Sequence, residues 1–129
     1  MIVSVPVFGS VSVRVRQAFP NARVHLLADS APMVASRYFQ TFRAEWNLQV
    51  PATCTTCDGG LPAIVEDQIV SAPQARVGLL ATTEDGVLTR YFFADGTTGA
   101  WAAPPFASYT AAEQQIEALY DRLPNAKYF

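Results

Sequence analysis

Charge is scarce in this chain: of its 129 residues only 16% are Asp, Glu, Lys or Arg, and the formal balance is −2. Lysine is nearly missing, since all but one of the nine basic residues are Arg. Nucleic-acid binding rests on clustered Lys and Arg, and here Arg14, Arg16 and Arg23 make the only loose grouping, so no nucleic-acid partner is expected. The acidic excess is too slight for a nucleic-acid mimic. No apolar run approaches the eighteen residues of a membrane span, so no membrane partner is expected either. The N-terminus has no basic stretch, and Ser4, Pro6, Ser10 and Ser12 interrupt any apolar one; no signal peptide is read, and a cytoplasmic home is expected. Cysteine is down to two residues and histidine to one. A chain of this length buries roughly two thirds of its unfolded surface, enough for a core without disulfide staples.

What is present is apolar. Half the residues are hydrophobic, with eight Phe, five Tyr and two Trp, which excludes general disorder. The length fits one domain, residues 1–129. The preference for Arg over Lys, with Ala the commonest residue, reads as a high-GC bacterial or phage gene.

Val11, Val13 and Val15 alternate with Ser12, Arg14 and Arg16, the period of a half-buried strand; three β-branched residues at alternate positions weigh against a helix over 11–18. Ile2 to Phe8 reads as its hairpin partner and Arg23 to Ala28 as a third strand. Asp29-Ser30 offers a helix cap, and Ala35, Tyr38, Phe39, Phe42 and Trp46 form one apolar stripe, so Met33 to Trp46 reads as a helix. Residues 47 to 61 are rich in structure breakers and read as the longest loop, followed by a short strand from Ile64 to Val70. Arg76 to Thr83, Val87 to Ala94 and Thr97 to Ala102 read as a β-meander, because Asp85-Gly86 and Asp95-Gly96 are strong hairpin signals. Thr110 and Glu113 have capping-box spacing, and Ala112, Ile116, Leu119 and Leu123 follow on one face of a helix over Ala111 to Leu123, with Glu113, Gln114, Glu117 and Asp121 on the outer side. The fold expected is α+β: an antiparallel sheet of five to six strands with two amphipathic helices packed on it. Tyr128 and Phe129 make an apolar tail expected to dock on the domain.

Chemistry has few candidates. Cys54-Thr-Thr-Cys57, followed by Asp58-Gly59-Gly60, can offer two thiolates to one metal ion, zinc being the cofactor such a pair suits. Four ligands would require both His25 and Asp58, or two copies of the loop meeting across a homodimer axis. The same pair can be a redox dithiol, but such sites place the first Cys at a helix N-terminus, and a helix is not expected after Gly59-Gly60. It can also be a local disulfide, or two reduced thiols without a role. His25 lies in a strand with no assignable nucleophile or carboxylate, so it reads as structural. Glu66-Asp67 and Glu84-Asp85 read as solvated turns, with divalent-metal binding the alternative. Gly96-Thr97-Thr98-Gly99 lacks the Lys of a phosphate loop.

The densest aromatic stretch runs through Tyr91, Phe92, Phe93, Trp101, Phe106 and Tyr109. On a central strand, Arg90 and Phe92 would share the face opposite Tyr91 and Phe93. Most of these rings are expected in the core between sheet and C-terminal helix, and Arg90, Phe92 and Trp101 are the expected contacts for a protein partner. With no catalytic constellation, the expected function is a small non-enzymatic interaction protein of inhibitor, immunity or anti-defence type. The alternative is a metal- or thiol-redox-dependent module built on Cys54 and Cys57.

Overall fold

Strands and helices alternate along the chain, and that order decides the kind of sheet. The computed structural model describes residues 2–3, 15–29, 33–36, 38–45, 47, 50, 52, 54–93 and 106–129. Its strands are β1 (Ile2–Val3), β2 (His25–Asp29), β3 (Val77–Leu80) and β4 (Ala126–Tyr128). Its helices are α1 (Phe39–Glu45), α2 (Leu61–Val70), α3 (Gly86–Phe93) and α4 (Phe106–Arg122), with a 3-10 turn at Cys57–Gly59. Residues 15–18 are also helical.

The sheet has the order β1-β2-β3-β4, and every pair is parallel. This corrects the expectation of an antiparallel sheet of five to six strands. Parallel neighbours need crossovers of a dozen residues or more, and residues 4–24, 30–76 and 81–125 supply them. The middle strand of the expected meander does not exist: residues 86–93 are helix α3. Asp85 is the reason. Its Oδ1 accepts the backbone N–H groups of Val87 (2.9 Å) and Leu88 (2.8 Å), which makes it a helix N-cap rather than a hairpin turn. Asp95-Gly96 and the strand expected from Thr97 to Ala102 lie outside the described residues, as does most of the expected hairpin over residues 2–16.

Further boundaries move: the helix expected from Met33 starts at Phe39, with residues 33–36 outside it, and Val15 and Arg16, expected in a strand, are helical. Residues 61–70 are helix α2, not loop and strand. Gly60 precedes it at φ 116°, ψ −173°, a region open essentially to glycine alone, and Pro62 falls in the first turn, where its missing N–H costs nothing. Helix α4 starts at Phe106, so Thr110 and Glu113 sit inside it and are not its capping box. The Thr110 hydroxyl instead donates to the Thr83 carbonyl (3.2 Å), tying α4 to the turn between β3 and α3.

A sheet whose order advances one way, strand after strand, carries all its right-handed crossovers to the same face. The core agrees with that rule. Register puts Leu26, Ala28, Val77, Leu79, Ala126 and Tyr128 on one face, and all six belong to the cluster formed with Leu61, Ile64, Val65 and Ile69 of α2 and Ala112, Ile116, Leu119 and Tyr120 of α4. The opposite face carries Leu27, Gly78, Leu80, Lys127 and Phe129, none of them in that cluster. Leu80 is 38% and Phe129 63% exposed. Parallel sheets are normally covered on both sides.

The C-terminal strand is held in place by one side chain. Asn125 Nδ2 lies 3.2 Å from the carbonyl of Ile69 and 3.1 Å from those of Ala72 and Ala75, and the two N–H groups are shared among them. Two of these carbonyls also accept a backbone N–H of the turn, Ile69 O from Ala72 (3.2 Å) and Ala72 O from Ala75 (2.9 Å), so Asn125 adds a second donor to each. The expected docking of the tail takes the form of β4, extended by Phe129 N–H donating to Leu79 O (2.9 Å).

Candidate functional site

The Cys54-Thr-Thr-Cys57 segment leads into α2, and the sulfurs of its two cysteines form a disulfide. Cys57 opens the 3-10 turn that ends at Gly59, and Gly60 N–H donates to Cys57 O (3.3 Å) as the chain enters the helix. The helix thought absent after Gly59-Gly60 is therefore present, one residue beyond the pair. Burial separates the two sulfurs' residues: Cys57 is fully buried, whereas Cys54 is half-buried, with its Sγ 3.8 Å from the Thr56 hydroxyl. Helix α1 steadies the turn through Arg43, whose guanidinium lies 2.6 Å from Asp58. The Asp58 side chain is 83% exposed, so this pair fixes position more than it stabilises.

Of the acids considered from sequence, the one beside the sulfurs is Asp67. Cys54 Sγ, Cys57 Sγ and an Asp67 carboxylate oxygen all lie within 4.8 Å of one another. Asp58 is committed to Arg43, and His25 Nδ1 accepts the Arg76 backbone N–H (3.0 Å) in the strand ladder. Neither joins the cysteines in that grouping. Sequence reasoning missed Asp67 because it read 64–70 as a strand. Gly60 and Pro62 were the available signal: together they start a helix at residue 61, and its second turn returns Asp67 over the residues that precede it. The neighbouring Glu66 turns away and pairs with Arg122 of α4 at 2.7 Å.

Arg90 and Phe92, expected to contact a partner, lie on helix α3, and Arg90 is half-buried. Residues two apart on a helix do not share a face, so the reason for grouping them has gone. Trp101 lies outside the described residues.

A second polar cluster lies between α4 and β4. Glu113, expected on the outer side of its helix, is only 3% exposed, and neither carboxylate oxygen has a well-formed hydrogen bond among the described residues. Burial pushes its pKa up; the phenols of Tyr128 and Tyr109 favour the ionised form, while Asp85 and Glu117 oppose it. The phenols of Tyr109 and Tyr128 are themselves raised, chiefly by burial and then by Glu113, so they stay protonated and able to donate.

The raised pKa carries a sign. In acid both folded and unfolded chains hold the proton. As pH climbs past the ordinary value of 4.5, the unfolded chain releases it and the folded chain resists, so stability falls across that interval and stays lower above it. Glu113→Gln keeps the shape without the charge. It is expected to raise stability by about 1 kcal/mol or more at pH 7, with the gain shrinking towards pH 4. Urea unfolding at both pH values checks this; an equal difference at the two would contradict it.

Among the described residues no helix is long and apolar enough to cross a membrane. Comparison with protein-family models, with curated proteins and with solved structures gives no significant match. Any function must therefore be argued from the site.

Proposed function

We propose that this chain is a thiol–disulfide exchange protein, with Cys54 as the sulfur that meets the substrate and Cys57 as the one that resolves. The observation that carries this reading is the unequal burial of the pair beside a carboxylate: Cys54 reachable, Cys57 enclosed, Asp67 within 4.8 Å of both sulfurs. Exchange requires a thiolate that can reach a disulfide, and a second thiol close enough to displace it.

With the pair reduced, the Cys54 thiolate attacks one sulfur of a substrate disulfide. A bond forms between them and the other substrate sulfur leaves as a thiolate. Cys57 then passes its proton to Asp67 and attacks Cys54 Sγ. The mixed disulfide breaks, the second substrate sulfur leaves, and Asp67 returns the proton to water. Two electrons have moved from the cysteine pair to the substrate. A small thiol or dithiol reductant restores the pair by the reverse exchange. Asp67 matters because Cys57 must lose its proton where burial disfavours the thiolate. In a reducing compartment a disulfide is characteristically transient and catalytic rather than a staple.

The test is turnover of a fluorescent disulfide-linked peptide by reduced protein in the presence of a metal chelator. Wild type is expected to turn over. Asp67→Asn is expected to form the mixed disulfide at the wild-type rate and resolve it about 100-fold more slowly, the usual scale for one proton acceptor. No turnover by folded wild-type protein would remove the reading.

The interaction function is favoured by a different observation, the sheet face bearing Leu27, Leu80 and Phe129. Leu80 and Phe129 are large apolar side chains left open on a parallel sheet. We hold it as a second reading: this face contacts a protein partner, a second copy of the chain being the first to test.

A further inference from the structure

We propose that reduction of the Cys54–Cys57 bond turns the same turn into a zinc site with three protein ligands, Cys54, Cys57 and Asp67. The proposal rests on the exchange reading only in needing the pair to be reducible.

The donor set itself points to this ion. Two thiolates and a carboxylate are ligands zinc accepts in tetrahedral geometry, and three protein ligands leave one position for water or for a group from elsewhere. The three donor atoms come from one short turn and one helix, and they already lie within 4.8 Å of one another. Around a tetrahedral zinc with bonds of about 2.3 Å to sulfur, two sulfurs stand roughly 3.8 Å apart. That separation is reached once the bond between them is broken, without moving α2. The contacts that hold the turn do not use the sulfurs: Asp58 sits on Arg43 (2.6 Å), and Gly60 takes a backbone conformation few other residues adopt.

Charge supports the same conclusion. Cys57 is fully buried, and a thiolate there is unfavourable alone; a divalent cation removes that cost. Asp67 has no ion pair among the described residues, whereas its neighbour Glu66 has Arg122. Three negative ligands on a 2+ ion leave a net charge of −1, a modest burden at a half-buried site. The balance is simple. Two equivalents of a thiol reductant reduce the disulfide to two thiols and become a disulfide themselves; zinc then displaces both thiol protons. A small-molecule disulfide reverses the order: it takes two electrons and leaves as two thiols, with protons from water, while the Cys54–Cys57 bond forms and the ion is expelled. Zinc occupancy thus reports the redox state of the pair, and bound zinc holds Cys54 back from substrate.

The experiment titrates zinc into the untagged full chain, anaerobically, against a chromophoric chelator, with proton release followed in weakly buffered solution. Reduced wild type is expected to bind one zinc and release close to two protons at pH 7. Oxidised protein is expected to bind none at that site. Asp67→Asn is expected to bind at least about tenfold more weakly, and Cys54→Ser to lose the site. Circular dichroism confirms that each variant is folded, and Asp67→Glu, which keeps the carboxylate, is expected to recover part of the affinity. The proposal is overturned if reduced protein binds zinc no better than oxidised protein, or if Asp67→Asn matches wild type. Because turnover is measured in chelator, loss of the zinc result leaves the exchange reading intact, and loss of turnover leaves the zinc result readable.

Discussion

Cys57→Ser is expected to trap substrate. With Cys54 free and no resolving thiol, the variant should attack a disulfide-linked peptide once and stop, accumulating a mixed disulfide whose mass is that of the chain plus one half of the peptide. Cys54→Ser should do neither: Cys57 is fully buried, and an enclosed thiol in apolar surroundings is inert. Its rate should fall to the uncatalysed background. The two variants therefore separate the roles by outcome rather than by degree. Equal reactivity of Cys54 and Cys57 towards the peptide would mean that burial does not distinguish them, and the assigned order of attack would be wrong. Both serines are close in size to cysteine, and loss of the short disulfide loop is expected to cost about 2 kcal/mol, so circular dichroism of each variant belongs with the assay.

Leu79→Ala and Leu80→Ala, neighbours on β3, are expected to differ by several kcal/mol. Successive side chains of a strand point to opposite faces. Leu79 is 1% exposed and lies in the cluster with α2 and α4, so truncation leaves a cavity and should cost about 2–5 kcal/mol. Leu80 faces away from that cluster and should change stability by about 0.5 kcal/mol or less. Equilibrium unfolding in urea measures both. If Leu80→Ala proved as costly as Leu79→Ala, that face would be covered in the free chain and the second reading of the function would lose its support. If Leu80→Asp left stability alone but abolished a concentration-dependent dimer in sedimentation, the partner on this face would be a second copy. A chain that sediments as a monomer at every concentration removes that occupant.

How much of this was legible in the sequence depends on which signals are ambiguous. The strands at His25–Asp29 and Val77–Leu80 fall close to runs that read as strands, and the helical stripe through Ile116 and Leu119 follows from periodicity. Asp85-Gly86 misled because aspartate before glycine serves two geometries: its carboxylate caps a helix as well as it closes a hairpin, and only the partners of Oδ1 decide. The chain over 61–70 misled because Leu61, Ile64, Val65 and Ile69 are apolar at helical spacing but also make a short β-prone run, where length alone does not arbitrate. Once those two segments became strands, an antiparallel sheet followed, and Asp67 was lost from view.

Of the candidate site, the cysteines were visible and their surroundings were not. Spacing shows that Cys54 and Cys57 can meet, but not which of them is enclosed. Glu113 shows the same limit from the other side. Its place in a capping-box pattern suggested a solvated carboxylate, yet α4 buries a wider face than the stripe shows, with Glu113 in line with the buried Tyr109, Ile116 and Tyr120.

The reduction potential of the Cys54–Cys57 pair tests the central claim most directly. The chain is equilibrated in dithiol and glutathione redox buffers of graded potential, quenched with a thiol-alkylating reagent and weighed by mass spectrometry. A working exchange couple is expected to titrate between about −270 and −120 mV, the range spanned by thiol–disulfide exchange proteins. A midpoint below about −300 mV, where structural disulfides lie, would contradict the account and make the bond a staple.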